Sequence, residues 1–111
     1  NMELNKAVAA FAALSQPTRI DIFRLLIKSG PEGMAAGSIA AVLDVKQNTL
    51  SANLSVLLHA GLVKNQRQGR SIRYYADMDG LRNILSFLMQ DCCGGQSAIC
   101  QPLIDEIANA C

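Results

Sequence analysis

Apolar residues recur along this chain at two spacings, and the change of spacing marks out helices and one short pair of strands. In residues 3–14, Leu4, Ala7, Val8, Phe11 and Leu14 fall three or four apart, the period of one helix face. Ser15, Gln16, Pro17 and Thr18 interrupt that run, and Pro17 suits the first turn of a second helix, where its missing N–H costs nothing. Ile20, Phe23, Leu26 and Ile27 give this helix its predicted buried side, and the Gly-Pro-Glu-Gly of residues 30–33 ends it. A short third helix is expected over residues 36–43, with Ile39, Ala40 and Leu43 inward. A tight connection at residues 44–46 leads to a fourth helix over residues 47–59, with an apolar stripe of Leu50, Leu54, Leu57 and Leu58 and with Gly61 placed for a left-handed cap. Residues 62–67 and 71–76 then alternate as two short strands, and residues 68–70 supply the turn between them.

Asp77, Met78 and Asp79 open a fifth helix, in which Leu81, Ile84, Leu85, Phe87, Leu88 and Met89 are apolar on more than one side. A helix too apolar for a free surface packs against two things at once, here its own core and a partner subunit. The expectation is a homodimer built on this helix together with the first. A last short helix is expected over residues 102–110 with Leu103, Ile104 and Ile107 buried. The predicted fold is mainly α with a small β-hairpin, a dimeric winged helix-turn-helix. A single DNA-binding and dimerisation domain over residues 1–111 is expected, with a thiol-bearing segment from about residue 91.

Composition supports helices. Half of the 111 residues are hydrophobic but only 5% are aromatic, and there is no Trp, so the core must be built from Leu, Ile, Val, Ala and Met. No apolar run approaches the roughly 18 to 20 residues that cross a bilayer, and the order of a signal peptide is missing. A cytoplasmic protein with no membrane partner is therefore expected.

The polar face of the fourth helix changes the picture more. Gln47, Asn48, Thr49, Ser51, Ala52, Asn53 and Ser55 are short and uncharged, where a solvated helix face usually carries the better helix formers Glu, Lys and Arg. Such a face belongs either to an ordinary exposed helix or to a helix in the DNA major groove, where short donors and acceptors read base edges, and the short helix and tight turn before it favour the second. The net charge of +1 hides an uneven distribution: residues 46–73 carry Lys46, Lys64, Arg67, Arg70 and Arg73 and no acid, whereas residues 91–111 carry Asp91, Asp105 and Glu106 and no base. The predicted DNA-binding residues are Lys46, Gln47, Asn48, Thr49, Ser51, Asn53, Arg67, Arg70 and Arg73, the arginines laid by the hairpin along phosphates or into a minor groove.

From the Gln47 helix onward the sequence resembles a known family. The run Gln47-Asn48-Thr49-Leu50-Ser51-Ala52-Asn53-Leu54-Ser55-Val56-Leu57-Leu58-His59-Ala60-Gly61-Leu62-Val63 resembles the recognition-helix signature of the ArsR family of winged-helix metalloregulators. Leu14-Ser15-Gln16-Pro17-Thr18-Arg19 is similar to that family's entry to its second helix, and Gly69-Arg70-Ser71-Ile72-Arg73-Tyr74-Tyr75 to its wing. The resemblance covers roughly residues 6–90 and implies a dimeric transcriptional repressor, bound to an inverted-repeat operator and released by an inducer. Two of the family's sensor sites do not carry over. The third helix has Met34-Ala35-Ala36-Gly37-Ser38-Ile39 in place of a Cys-x-Cys pair, and the fifth has Asp77 and Asp79 but no histidine, the only one being His59. At positions where many members carry a larger Arg, Lys or His, this chain has Ala52 and Asn53.

The sensor is instead expected among the cysteines. All four fall in the last fifth of the chain, and Cys92, Cys93 and Cys100 lie within nine residues, with Gly94 and Gly95 between them. Adjacent cysteines on a continuing helix point about 100° apart. The glycines release the helix and let the chain fold back, so that three thiolates converge. A three-sulfur set lacks the fourth ligand of structural zinc, whereas trivalent arsenic or antimony accepts three sulfurs in a pyramid. As(III), with Sb(III) as its close analogue, is the expected inducer at Cys92, Cys93 and Cys100. Cys-Cys-Gly-Gly with a nearby Cys also resembles the C-terminal arsenite site of some ArsR-family repressors. Alternatives are zinc or cadmium recruiting Cys111, a redox switch through a disulfide such as Cys93–Cys100, inert cysteines, or a thiol or metal carrier that binds no DNA. Enzymatic activity is not expected, since no His or Lys stands near the thiols in sequence to act as a base.

Overall fold

The structure, a computed structural model, describes residues 3–90 and 92–110. The chain runs through α1 (Leu4–Leu14), α2 (Pro17–Ser29), a 3-10 turn (Gly30–Glu32), β1 (Met34–Ala35), α3 (Ala36–Leu43) and α4 (Gln47–His59). It continues through β2 (Val63–Gln68), β3 (Ser71–Ala76), α5 (Met78–Leu88), a second 3-10 turn (Cys92–Gly95) and α6 (Ser97–Asn109). β3 is central in a three-stranded antiparallel sheet of order β1-β3-β2. β1 was not foreseen: two residues are too few to show a period, and Met34 and Ala35 are recruited only by pairing with Tyr74 and Arg73.

The core sits between α2, α3, α4 and the base of the sheet. Ile22, Phe23 and Leu26 of α2 meet Ile39 of α3, Leu50, Leu54 and Leu57 of α4, and Leu62, Val63 and Ile84. No polar or charged residue is buried among the described residues. α4 ends as its sequence predicts. Gly61 takes φ +78°, its N–H bonds to the Leu58 carbonyl and the Leu62 N–H to that of Leu57, a Schellman closure. The turn between α3 and α4 uses Asp44 at φ +53°, one of the few residue types besides glycine that tolerate the left-handed region.

Two expectations about burial, in α2 and α6, need correction, and α1 turns its small residues inward. In α1 the buried residues are Ala7, Ala10 and Ala13, which fit where α1 packs on α2 and α4, while Leu4 and Val8 are 63% and 55% exposed. In α2 the buried face is Ile22, Phe23 and Leu26, and Ile20 and Ile27 stand about 100° round the helix from it and are exposed. α6 begins five residues earlier than expected with Pro102 inside it, and Leu103, Ile104 and Ile107 are 46%, 54% and 53% exposed. The reason is that α6 has no wall of the head to lie against: within the chain it packs chiefly on the Cys92–Gly95 turn, and Cys100 is its one buried residue. A radius of gyration of 15.5 Å, against about 13 Å for a compact domain of this size, fits such a projecting helix.

Two glycines set the geometry around the sheet. A Cβ at Gly80 would lie 1.8 Å from the Gly61 carbonyl oxygen, so α5 can start against the end of α4 only without a side chain there. Gly33, at φ +63°, would place a Cβ 2.4 Å from the Tyr74 carbonyl oxygen. Asp77 caps α5 through a bond from the Gly80 N–H to its Oδ1, 3.1 Å, and its own N–H bonds to the Leu62 carbonyl. Among the described residues no helix is long and apolar enough to cross a membrane.

Candidate nucleic-acid interface and thiol segment

α3, the three-residue turn and α4 form a helix-turn-helix, and α4 buries its leucines so that its other face is presented outward. Gln47, Asn48, Thr49, Ser51, Ala52 and Ser55 are all exposed, and exposed Lys46 precedes the first turn. That turn carries no acidic side chain, its Thr49 N–H donates to Asn48 Oδ1 at 2.9 Å, and the positive end of the helix dipole stands beside Lys46. Asn53 is placed differently. It is half-buried, its Nδ2 donates to the Thr49 carbonyl at 3.0 Å, and its Oδ1 accepts from Arg19 Nη1 at 3.1 Å.

Arg19 is the residue that sequence reasoning missed. Its Nε donates to the Ala13 carbonyl at 2.6 Å, while its backbone N–H is capped by Gln16 Oε1 at 2.9 Å. One guanidinium therefore ties the end of α1 to the middle of α4. Arg19 was in view only as part of the α2 entry motif, since an arginine in a first turn does not reveal a partner 34 positions away.

In the hairpin Gln68 pairs with Ser71, leaving Gly69, at φ +64°, and Arg70 as a two-residue loop. Arg67 and Arg70 are exposed at or beside this tip. Arg73 lies opposite Gln66, on the other face of the ribbon from Arg67, and its Nε donates to the Glu32 carbonyl at 2.6 Å. The alternation that suggested strands also separates these arginines. His59 is exposed, with its Nδ1 2.8 Å from the Ser55 carbonyl oxygen, a helix-end position.

At the other end of the molecule, Gly94 and Gly95 take φ +61° and +84°, the left-handed turn expected of them. α6 follows at Ser97, and Cys100 in its first turns is 3% exposed and disulfide-bonded, so its sulfur is already paired with a second cysteine. The side chains of Cys92 and Cys93, and Cys111, lie outside the described residues. Among those described there is no group of three His, Cys, Asp or Glu placed to hold a metal ion.

A helix-turn-helix followed by a β-hairpin wing defines a DNA-binding protein of the winged-helix class. Residues 14–66 match a helix-turn-helix domain family. The chain is 34% identical over 83 residues to an uncharacterized HTH-type transcriptional regulator of Methanocaldococcus jannaschii, covering 75% of this chain and 91% of that one. It is also 34% identical over 77 residues to a putative arsenical resistance operon repressor of Halobacterium salinarum, covering 69% of this chain and 59% of the relative. An ArsR-like transcriptional regulator from Rhodococcus superposes with TM-score 0.70 and 31% identity, covering 94% of this chain and 93% of the other. A homodimeric winged helix-turn-helix domain from Mycobacterium bovis does so with TM-score 0.66 and 27% identity, covering 97% and 86%.

The chain belongs to the ArsR family of winged helix-turn-helix transcriptional regulators. It is a DNA-binding regulator and not an enzyme.

Proposed function

We propose that this chain is an arsenic-responsive repressor: a homodimer that holds operator DNA and lets go when As(III) binds Cys92, Cys93 and Cys100. The observation that carries the DNA half is the small polar face of α4 in a helix-turn-helix followed by a hairpin with a basic tip. Gln47, Asn48, Thr49 and Ser51 read base edges, with Asn53 held back by Arg19 as a positioning residue. Lys46, Arg67 and Arg70 neutralise phosphates, and Arg73 braces the wing on Glu32. Residues 1–111 act as one domain, and the exposed Leu4, Val8 and Phe11 of α1 with Leu85 and Leu88 of α5 form its dimer face. The homodimeric relative from Mycobacterium bovis supports a homodimer, though not a particular face.

The thiol half rests on donor chemistry. Cys100 is a shielded sulfur within bonding reach of another, two positive-φ glycines fold the chain back before it, and the arsenical name of the Halobacterium relative points the same way. Three reduced thiols condense with arsenious acid to give an As(S)3 pyramid and three waters, with no change of oxidation state. Sb(III) fits by the same count, and Zn(II) or Cd(II) would need a fourth ligand.

The disulfide at Cys100 favours a second reading, in which oxidation itself is the signal. Two thiols then give up two protons and two electrons to a peroxide-class oxidant. One experiment decides between them. Reduced protein is bound to duplex DNA from its own promoter region and titrated with As(III), Sb(III), Zn(II) and Cd(II), and the peroxide-oxidised protein is run alongside. Release by As(III) and Sb(III) alone supports the first reading. Release only on oxidation replaces it with the second, and failure to bind the duplex overturns both.

A further inference from the structure

A dimer face on α1 and α5 leaves α6 unexplained. Cys100 is the one buried residue among its 13, and Ile99, Leu103 and Ile104 are 60%, 46% and 54% exposed. An isolated helix of this length is marginal in water, and Pro102 inside it weakens it further.

α1 offers the complementary surface. Leu4, Val8 and Phe11 make a single exposed apolar stripe, and helices of 11 and 13 residues are roughly 16 and 20 Å long. The charges also match: α1 carries Lys6 and no acid, and α6 carries Asp105 and Glu106 and no base. Both stripes are exposed in the same chain, so the chain does not lay its own α6 over its own α1. α1 packs beside α5, whose Leu85 and Leu88 are exposed, so the α1 stripe continues the dimer face.

We propose that α6 docks on α1 of a second copy of this chain, so that each thiol segment is closed by the partner and the inducer site is incomplete in a monomer. The proposal rests on the dimeric reading above. Cys100 lies one turn before Leu103 and Ile104, so seating those two side chains fixes the position of its sulfur. Inducer affinity and dimerisation are then linked, and each strengthens the other by the same factor.

The test uses the full reduced chain and two double variants, Leu103→Asn with Ile104→Asn and, milder and helix-favouring, Leu103→Ala with Ile104→Ala. Sedimentation velocity over a concentration series reads the dimer constant, and sulfur-to-arsenic absorbance reads As(III) binding. The expected result is a dimer dissociation constant raised at least tenfold in the Asn variant and less in the Ala variant. As(III) affinity falls in parallel and recovers at concentrations that restore the dimer. Wild-type dimer constants in both variants overturn the docking, as does As(III) affinity that is equal in monomer and dimer. A wild-type chain that stays monomeric overturns the dimeric reading as well. A dimeric wild type that does not bind As(III) overturns the arsenite reading and the linkage drawn here, while sedimentation still decides the docking.

Discussion

The head of this molecule and its C-terminal segment hold their shape by different means. From α2 to α5, each helix and the base of the sheet send side chains into one core, and the loops close by hydrogen bonds that leave no buried polar side-chain atom unpaired among the described residues. From residue 92 to residue 110, Cys100 is the one described side chain that is buried. A segment with so few buried contacts sits at the low-stability end of a protein, where a ligand or partner can change its structure most cheaply. The head is built to stay the same, and the thiol segment to be completed by what it binds.

Substituting glycines should expose that contrast most strongly. Gly80→Ala forces a Cβ into the Gly61 carbonyl and should cost about 3 kcal/mol or more, read from the urea midpoint of the head. Gly94→Ala meets no neighbouring atom and strains only its own φ of +61°, so the same midpoint should move by less than about 0.5 kcal/mol. Equal losses would mean that the two regions unfold as one unit.

The wing arginines sharpen the division inside the head. Arg67→Ala and Arg70→Ala should each lower the slope of log affinity against log salt by about 1, as the loss of one phosphate contact does. Arg73→Ala should leave that slope unchanged and instead cost about 1 kcal/mol of stability through its lost bond to Glu32. Arg19→Ala should cost a similar amount, about 1 kcal/mol, and weaken operator binding without changing the salt slope, because it releases Asn53 rather than a phosphate. The smallest effect belongs to Cys111→Ser, which should leave both DNA binding and the As(III) response as they are.

The elements of the head were legible because each carries a local signal. The period of Leu50, Leu54 and Leu57, the cap at Gly61 and the alternation of residues 71–76 each fix an element without reference to the rest of the chain. What was not legible depends on neighbours distant in sequence. β1 exists only through β3, the inward side of α1 was set by close packing of alanines and not by its largest residues, and the Arg19–Asn53 bond spans the helix-turn-helix. The face of α6 was misread for a related reason: apolar spacing says that a face will be covered, and not by which chain. In the candidate site, the exposed polar face of α4 followed from composition, whereas the fates of Asn53 and Arg73 needed the fold.

The claim that the thiol segment controls the head is tested most directly by following operator binding and As(III) loading together in reduced wild-type protein and in the Cys92→Ser, Cys93→Ser and Cys100→Ser variants. The account predicts that saturating As(III) lowers wild-type operator affinity by roughly 5- to 150-fold, and that each variant keeps its grip on DNA. Undiminished operator affinity in a wild-type dimer fully loaded with As(III) would contradict it.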